Sequence, residues 1–125
     1  MSEAVTHVAP GQHQTFRPAP GVVFHVLHKG PHCQVVLHEL EPGTTYQCPP
    51  HPGEELRVVL TGEVTFAVAG QDYPTPVGGT VHHSSLVEHG FRTEARPASF
   101  LTLALAGGHD LTALFRGAGA GEAQR

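Results

Sequence analysis

The chain has 125 residues, a formal net charge of -4, 14% charged side chains and 39% hydrophobic ones. This is one domain's length, with enough apolar residues for one core. With Lys and Arg at 7 together there is no basic patch, which argues against a nucleic-acid partner, and no apolar run approaches the roughly 18 residues of a membrane helix.

The opening segment MSEAVTHVAPGQHQ lacks the apolar stretch of a secretory leader, so a cytoplasmic location is expected. Residues 1–21 read as an N-terminal arm. VVFHVLH (22–28) is apolar and β-branched and is ended by Lys29-Gly30-Pro31. CQVVLHEL (33–40) follows and stops at the turn Glu41-Pro42-Gly43. YQCPPHPG (46–53) reads as a Pro-rich loop. LRVVL (56–60) leads into the turn Thr61-Gly62, and VTFAV (64–68) alternates with Val64, Phe66 and Val68 on one face. Ala69-Gly70-Gln71 is a second hairpin turn. TVHHSS (80–85) and FLTLAL (100–105) read as strands, and DLTALF (110–115) as a short helix or a last strand. The domain is placed at 22–116, with GAGAGEAQR (117–125) as a flexible tail by composition.

Gly (15) and Pro (11) make up about a fifth of the chain, against roughly 12% on average, and they are spread as turns. Short strands separated by turns every 8–12 residues, with no βαβ alternation, predict an antiparallel all-β sandwich or barrel. Cys33 and Cys48 make no disulfide framework and read as free thiols. Eleven histidines point to metal chemistry, since imidazole is the commonest metal ligand, although any single one can be a surface residue.

Residues 43–62, GTTYQCPPHPGEELRVVLTG, resemble the first motif of the cupin family: a Gly, a loop, His-x-His, three or four residues, Glu, six residues and Gly. Glu55 is followed by six residues and Gly62, and His51 takes the place of the second His. The first His is replaced by Pro49. VGGTVHHSSLVEHGFRT (77–93) resembles the second motif. Gly78 matches its first Gly, Ser84 and Leu86 stand for its Pro and second Gly, His89 falls on the ligand position, and Thr93 stands where Asn is common. The resemblance implies a small single-domain (monocupin) member of the conserved-barrel type, with a cupin-like antiparallel jelly-roll fold.

A pocket of two His and one carboxylate from His51, Glu55 and His89 would suit a divalent metal ion: Fe(II), Mn(II), Ni(II) or Zn(II). The prolines around His51 would pre-position it. Glu55, Arg57 and Val59 share one strand face. If Glu55 points inward, so does Arg57, and a buried Arg needs an anionic partner. That partner is Glu55 or a carboxylate or phosphate of a bound molecule. Cys48 and Gln47 flank the missing His position and are candidate ligand-binding residues. Of the neighbours His82 and His83, one should reach the interior near His89; His83 is favoured, either as a packed core histidine or as a further ligand-binding candidate. His38 reads as a core or pocket-wall residue, His25, His28 and His32 as surface or edge residues, and Glu54 as solvated.

The resemblance implies metal-dependent dioxygenase, isomerase or decarboxylase chemistry on a small molecule, anionic where Arg57 grips it. The alternative is a non-enzymatic ligand-sensing module whose metal site is degenerate or absent; a purely structural role is a third. A homodimer is expected, because sandwich edges need protection, with VVFHVL exchanging or packing at a two-fold interface.

Overall fold

The computed structural model describes residues 4–105. Ten strands are found among them: β1 (Gln14–Ala19), β2 (Val22–Lys29), β3 (Gln34–Leu40), β4 (Thr45–Cys48), β5 (Glu54–Thr61), β6 (Glu63–Val68), β7 (Gln71–Pro76), β8 (Thr80–Ser84), β9 (His89–Arg92) and β10 (Ala98–Leu105). They form two antiparallel sheets, six strands in the order β1-β2-β3-β10-β5-β8 and four in the order β4-β9-β6-β7. The all-β sandwich expected from the turn spacing is therefore present. DLTALF and the tail 117–125 lie outside the described residues. Among the described residues no helix is long and apolar enough to cross a membrane.

Among the described residues, each run read as a strand forms one. The range 1–21 contributes β1, which pairs with β2 from Gln14 opposite Val26 to Ala19 opposite Val22. Part of the Pro-rich loop is β4, and the spacer QDYPTP is β7. β7 tolerates Pro74 and Pro76 because it lies at the edge of its sheet, paired only with β6. β2 is held on both edges, by β1 and β3.

The core lies between the sheets and is rich in phenylalanine. Phe16, Phe24, Phe66, Phe91 and Phe100 are buried with Val22, Val36, Val59 and Val64. Phe100 meets Phe66 edge to face at 5.0 Å and Phe91 at 4.9 Å, a geometry that adds to the burial itself. His38 belongs to this core. Its ring stacks on Phe100 at 4.3 Å and its Nε2 lies 2.8 Å from the hydroxyl of Thr102.

β5 sets the polarity of the interior. Glu55, Arg57 and Val59 point inward and are buried. Across the ladder they face Ala104, Thr102 and Phe100 of β10. The interior thus passes from an acid to a cation to an apolar floor within five residues, and the polar end carries the candidate site.

The β5–β6 turn depends on Gly62. Its φ is +71°, and a Cβ there would collide with the Pro97 carbonyl and with Ala98. Backbone on one side and strained torsions on the other leave no relaxation. Gly62→Ala is expected to cost about 2–4 kcal/mol, a fall in Tm on the order of 10 °C. Thermal unfolding of the variant checks this, and an unchanged Tm would refute the close approach.

Candidate metal centre

Four side chains from four segments meet at the polar end. His51 ends the Pro-rich loop. Glu55 is the second residue of β5, His83 comes from β8 and His89 opens β9. The loop is fixed by two backbone hydrogen bonds, His51 N–H to Ser85 O and Ser85 N–H to Gly53 O, each 2.9 Å. These join the segment before β5 to the segment after β8. His83 stands directly across the β5–β8 ladder from Glu55. β9 reaches the site because Gly90 lets it approach β4: a Cβ there would lie 2.5 Å from the Tyr46 carbonyl oxygen.

The imidazole Nε2 atoms converge on one carboxylate. His51 Nε2 lies 3.7 Å from Glu55 Oε2, while His83 Nε2 and His89 Nε2 lie 3.7 and 3.4 Å from Oε1. On the far side of each ring Nδ1 meets a backbone carbonyl: Pro52 at 3.0 Å, Ser84 at 2.9 Å and Val87 at 2.8 Å. A carbonyl can only accept, so in each neutral ring Nδ1 carries the hydrogen and Nε2 the lone pair. The arrangement is the one that orients histidine toward a metal. Nε2 of His89 is buried without a hydrogen-bond partner, an arrangement that buried polar atoms avoid unless something binds them. His51, Glu55 and His89 each offer a ligand atom within 4.8 Å of the others and could hold a metal ion.

Of the two partners left open for Arg57, the structure shows Glu55. Arg57 Nη2 donates to Oε1 at 2.6 Å, and the guanidinium lies 5.6–5.7 Å from the ring centres of Phe66, Phe91 and Phe100. Its Nε and Nη1 make no hydrogen bond.

Burial alone would raise the Glu55 pKa. The Arg57 charge and hydrogen bond, with the nearby imidazoles, overcome it and hold the carboxyl at about 2. Burial lowers His89 to about 4, aided by Arg57 and opposed by its hydrogen bond to Val87 and by Glu55. Burial, then Arg57, also lowers His83. At neutral pH the site therefore presents a carboxylate and neutral imidazoles at positions 83 and 89, the forms that bind metal.

The remaining candidates separate. Cys48 pairs across from His89 on β4 and is electrostatically coupled to Arg57. Burial pushes its thiol up to about 11 despite that cation, so it is a thiol and not a thiolate. Gln47 is exposed on the opposite face of β4, away from the site. His82 is also exposed and pairs with Glu54 at 2.7 Å. His25 pairs with Glu39 at 2.9 Å, and His28 and His32 are exposed. Thr93, in the position where Asn is common, donates to Glu41 O at 2.6 Å and accepts from Thr44 N–H at 3.1 Å. It ties loops together away from the site.

Residues 36–104, more than half of the chain, match the family model of the cupin domain, Cupin_2. The chain belongs to the cupin family. Comparison with curated proteins gives no significant match. Among solved structures, this cupin is similar to the Cupin_2 domain of an XRE family transcriptional regulator from Enterobacter cloacae. The two share 22% identity over 67% of this chain and 95% of that one, with a TM-score of 0.64. It is also similar to hydroxypropylphosphonic acid epoxidase from S. wedmorenis, at 16% identity over 83% of this chain and 61% of the epoxidase, with a TM-score of 0.74. The polyketide cyclase RemF from Streptomyces resistomycificus gives 17% identity over 80% of this chain and 78% of the cyclase, with a TM-score of 0.68. At these identities the likeness is one of fold.

Proposed function

We propose that this cupin binds a divalent metal ion through His51, Glu55 and His89, and uses it to hold or transform a small molecule at the polar end of the sandwich. The observation that carries the reading is the set of Nε2 lone pairs turned toward an ionised carboxylate, each imidazole fixed from behind by a backbone carbonyl. Fe(II), Mn(II), Ni(II) and Zn(II) all suit two imidazoles and a carboxylate. The metal would supply Lewis-acid or redox chemistry. The chain's own part is to hold the ligands in their binding protonation states. Arg57 keeps Glu55 ionised, and the carbonyls of Pro52 and Val87 fix the tautomers of His51 and His89. Structural neighbours that include hydroxypropylphosphonic acid epoxidase and the polyketide cyclase RemF support turnover on this scaffold.

The test is elemental analysis of untagged protein purified without chelator, beside a His51→Ala/His89→Ala variant. Near-stoichiometric metal in the wild type, lost in the variant, is expected. No metal in either, even after reconstitution under anaerobic conditions, would overturn the proposal. It would favour a ligand-sensing module, the reading to which Pro49, in place of the motif's first histidine, lends weight.

A further inference from the structure

Resting on the metal reading above, we infer that His83 is a fourth protein ligand and supplies from β8 the imidazole that Pro49 cannot. It shares with them burial, an Nε2 near a Glu55 oxygen and an Nδ1 held by a backbone carbonyl, although the residues whose ligand atoms all lie within 4.8 Å of one another are His51, Glu55 and His89, so His83 would have to close in on the ion. It is buried to the same degree as His51, each being 7% exposed. Its Nε2 is as far from the Glu55 carboxylate as that of His51, 3.7 Å in both cases. Its Nδ1 is tied to a backbone carbonyl, that of Ser84 at 2.9 Å, so the lone pair is on Nε2 and aimed at Glu55. Its ring centre lies 4.8 Å from that of His89, closer than the 5.5 Å between His51 and His89.

A lone pair directed at a carboxylate is repulsive unless a cation lies between them. The outward-facing neighbour His82, by contrast, meets Glu54 by a direct 2.7 Å contact. The three imidazoles also divide between the two carboxylate oxygens. His51 approaches Oε2, and His83 and His89 approach Oε1. Only the β5–β8 register, which sets residue 83 opposite residue 55, produces this arrangement. Four donors change what the site can accept. A six-coordinate ion would keep two positions for outside ligands where the three-residue set leaves three, enough for one molecule chelating through two oxygen atoms.

The experiment is X-ray absorption at the zinc edge on the zinc(II)-loaded wild type, His83→Ala, His83→Gln and His82→Ala, with zinc affinity measured by chelator competition. Three imidazoles are expected in the wild type and in His82→Ala, and two in both His83 variants. Zinc affinity should fall by at least about tenfold in the His83 variants, the size of loss that removing an outer-shell partner already causes. Two imidazoles in the wild type, unchanged in the His83 variants, would overturn the inference while leaving the metal site of His51, Glu55 and His89 standing. Wild-type protein that retains no zinc would overturn both. Circular dichroism of the metal-free variants separates loss of a ligand from loss of the fold, and His83→Gln keeps most of the side-chain volume if His83→Ala collapses.

Discussion

Replacing Arg57 by Met is expected to destabilise the metal-free protein by about 3–5 kcal/mol, the usual result of removing one partner from a buried ion pair. Arg57 and Glu55 are 2% and 4% exposed, and their 2.6 Å hydrogen bond is what keeps an interior carboxylate ionised. Without the guanidinium, Glu55 must remain as a naked charge or take up a proton, and either costs free energy. The packing of the arginine on three phenylalanine rings is lost as well, but Met largely replaces that volume. The double variant Arg57→Met/Glu55→Gln removes both charges together and should be more stable than Arg57→Met alone, because a neutral pair leaves no uncompensated ion. Zinc(II) should restore Arg57→Met by a larger margin than it stabilises the wild type, since the ion then becomes the only counter-charge for Glu55. Chemical denaturation of the two variants, with and without zinc, checks all three statements. A single-variant cost below about 1 kcal/mol would mean that Arg57 is not the group that holds Glu55 ionised.

That ion pair was half legible in the sequence. Alternation along LRVVL fixed the shared face of Glu55, Arg57 and Val59, and the structure buries all three. It could not choose between Glu55 and an outside anion as the partner of Arg57, because that choice depends on the rotamer. The same limit explains His83. Its inward direction followed from alternation with His82, but its distance from Glu55 depends on the β5–β8 register, and no local pattern encodes a pairing between strands so far apart in sequence. The strands that were not read as strands, β1, β4, β7 and β9, have a common cause in three cases. β1, β4 and β7 are sheet edges, where one face or one side is solvated and the apolar alternation is weak. β9 is only four residues, His89–Arg92, with a glycine inside it, too short for a periodicity to show. The central strands β2, β3, β5, β6 and β10 were legible because packing on the core demands apolar residues at every second position.

The metal-free protein is expected to lose stability progressively as the pH falls below about 6.5, and metal should move that loss to lower pH. His38, His83 and His89 all have folded-state pKa values depressed by burial, His38 well below its ordinary value and His89 to about 4. A depressed imidazole is neutral in the folded chain while its unfolded counterpart already binds a proton at about pH 6.5. Between those two values the unfolded state holds more protons, so stability falls as the pH falls. Glu55 adds a second, more acidic stage. Its folded pKa of about 2 against an ordinary 4.5 contributes about 3 kcal/mol at neutral pH, present above about 4.5 and lost as the pH drops toward 2. The two stages act in the same direction, one from histidines and one from the carboxylate. Thermal melts of chelator-treated protein at pH 7.5, 6.5, 5.5 and 4.5 should show a falling Tm throughout, with no plateau between 6.5 and 5.5. Zinc(II) should hold the Tm up over the same interval, because it binds only the deprotonated ligands and competes with the protons for them. A flat profile down to pH 4.5 without metal would mean that the buried imidazoles are not held neutral by the fold. Their alignment on Glu55 would then not reflect a site poised for a cation.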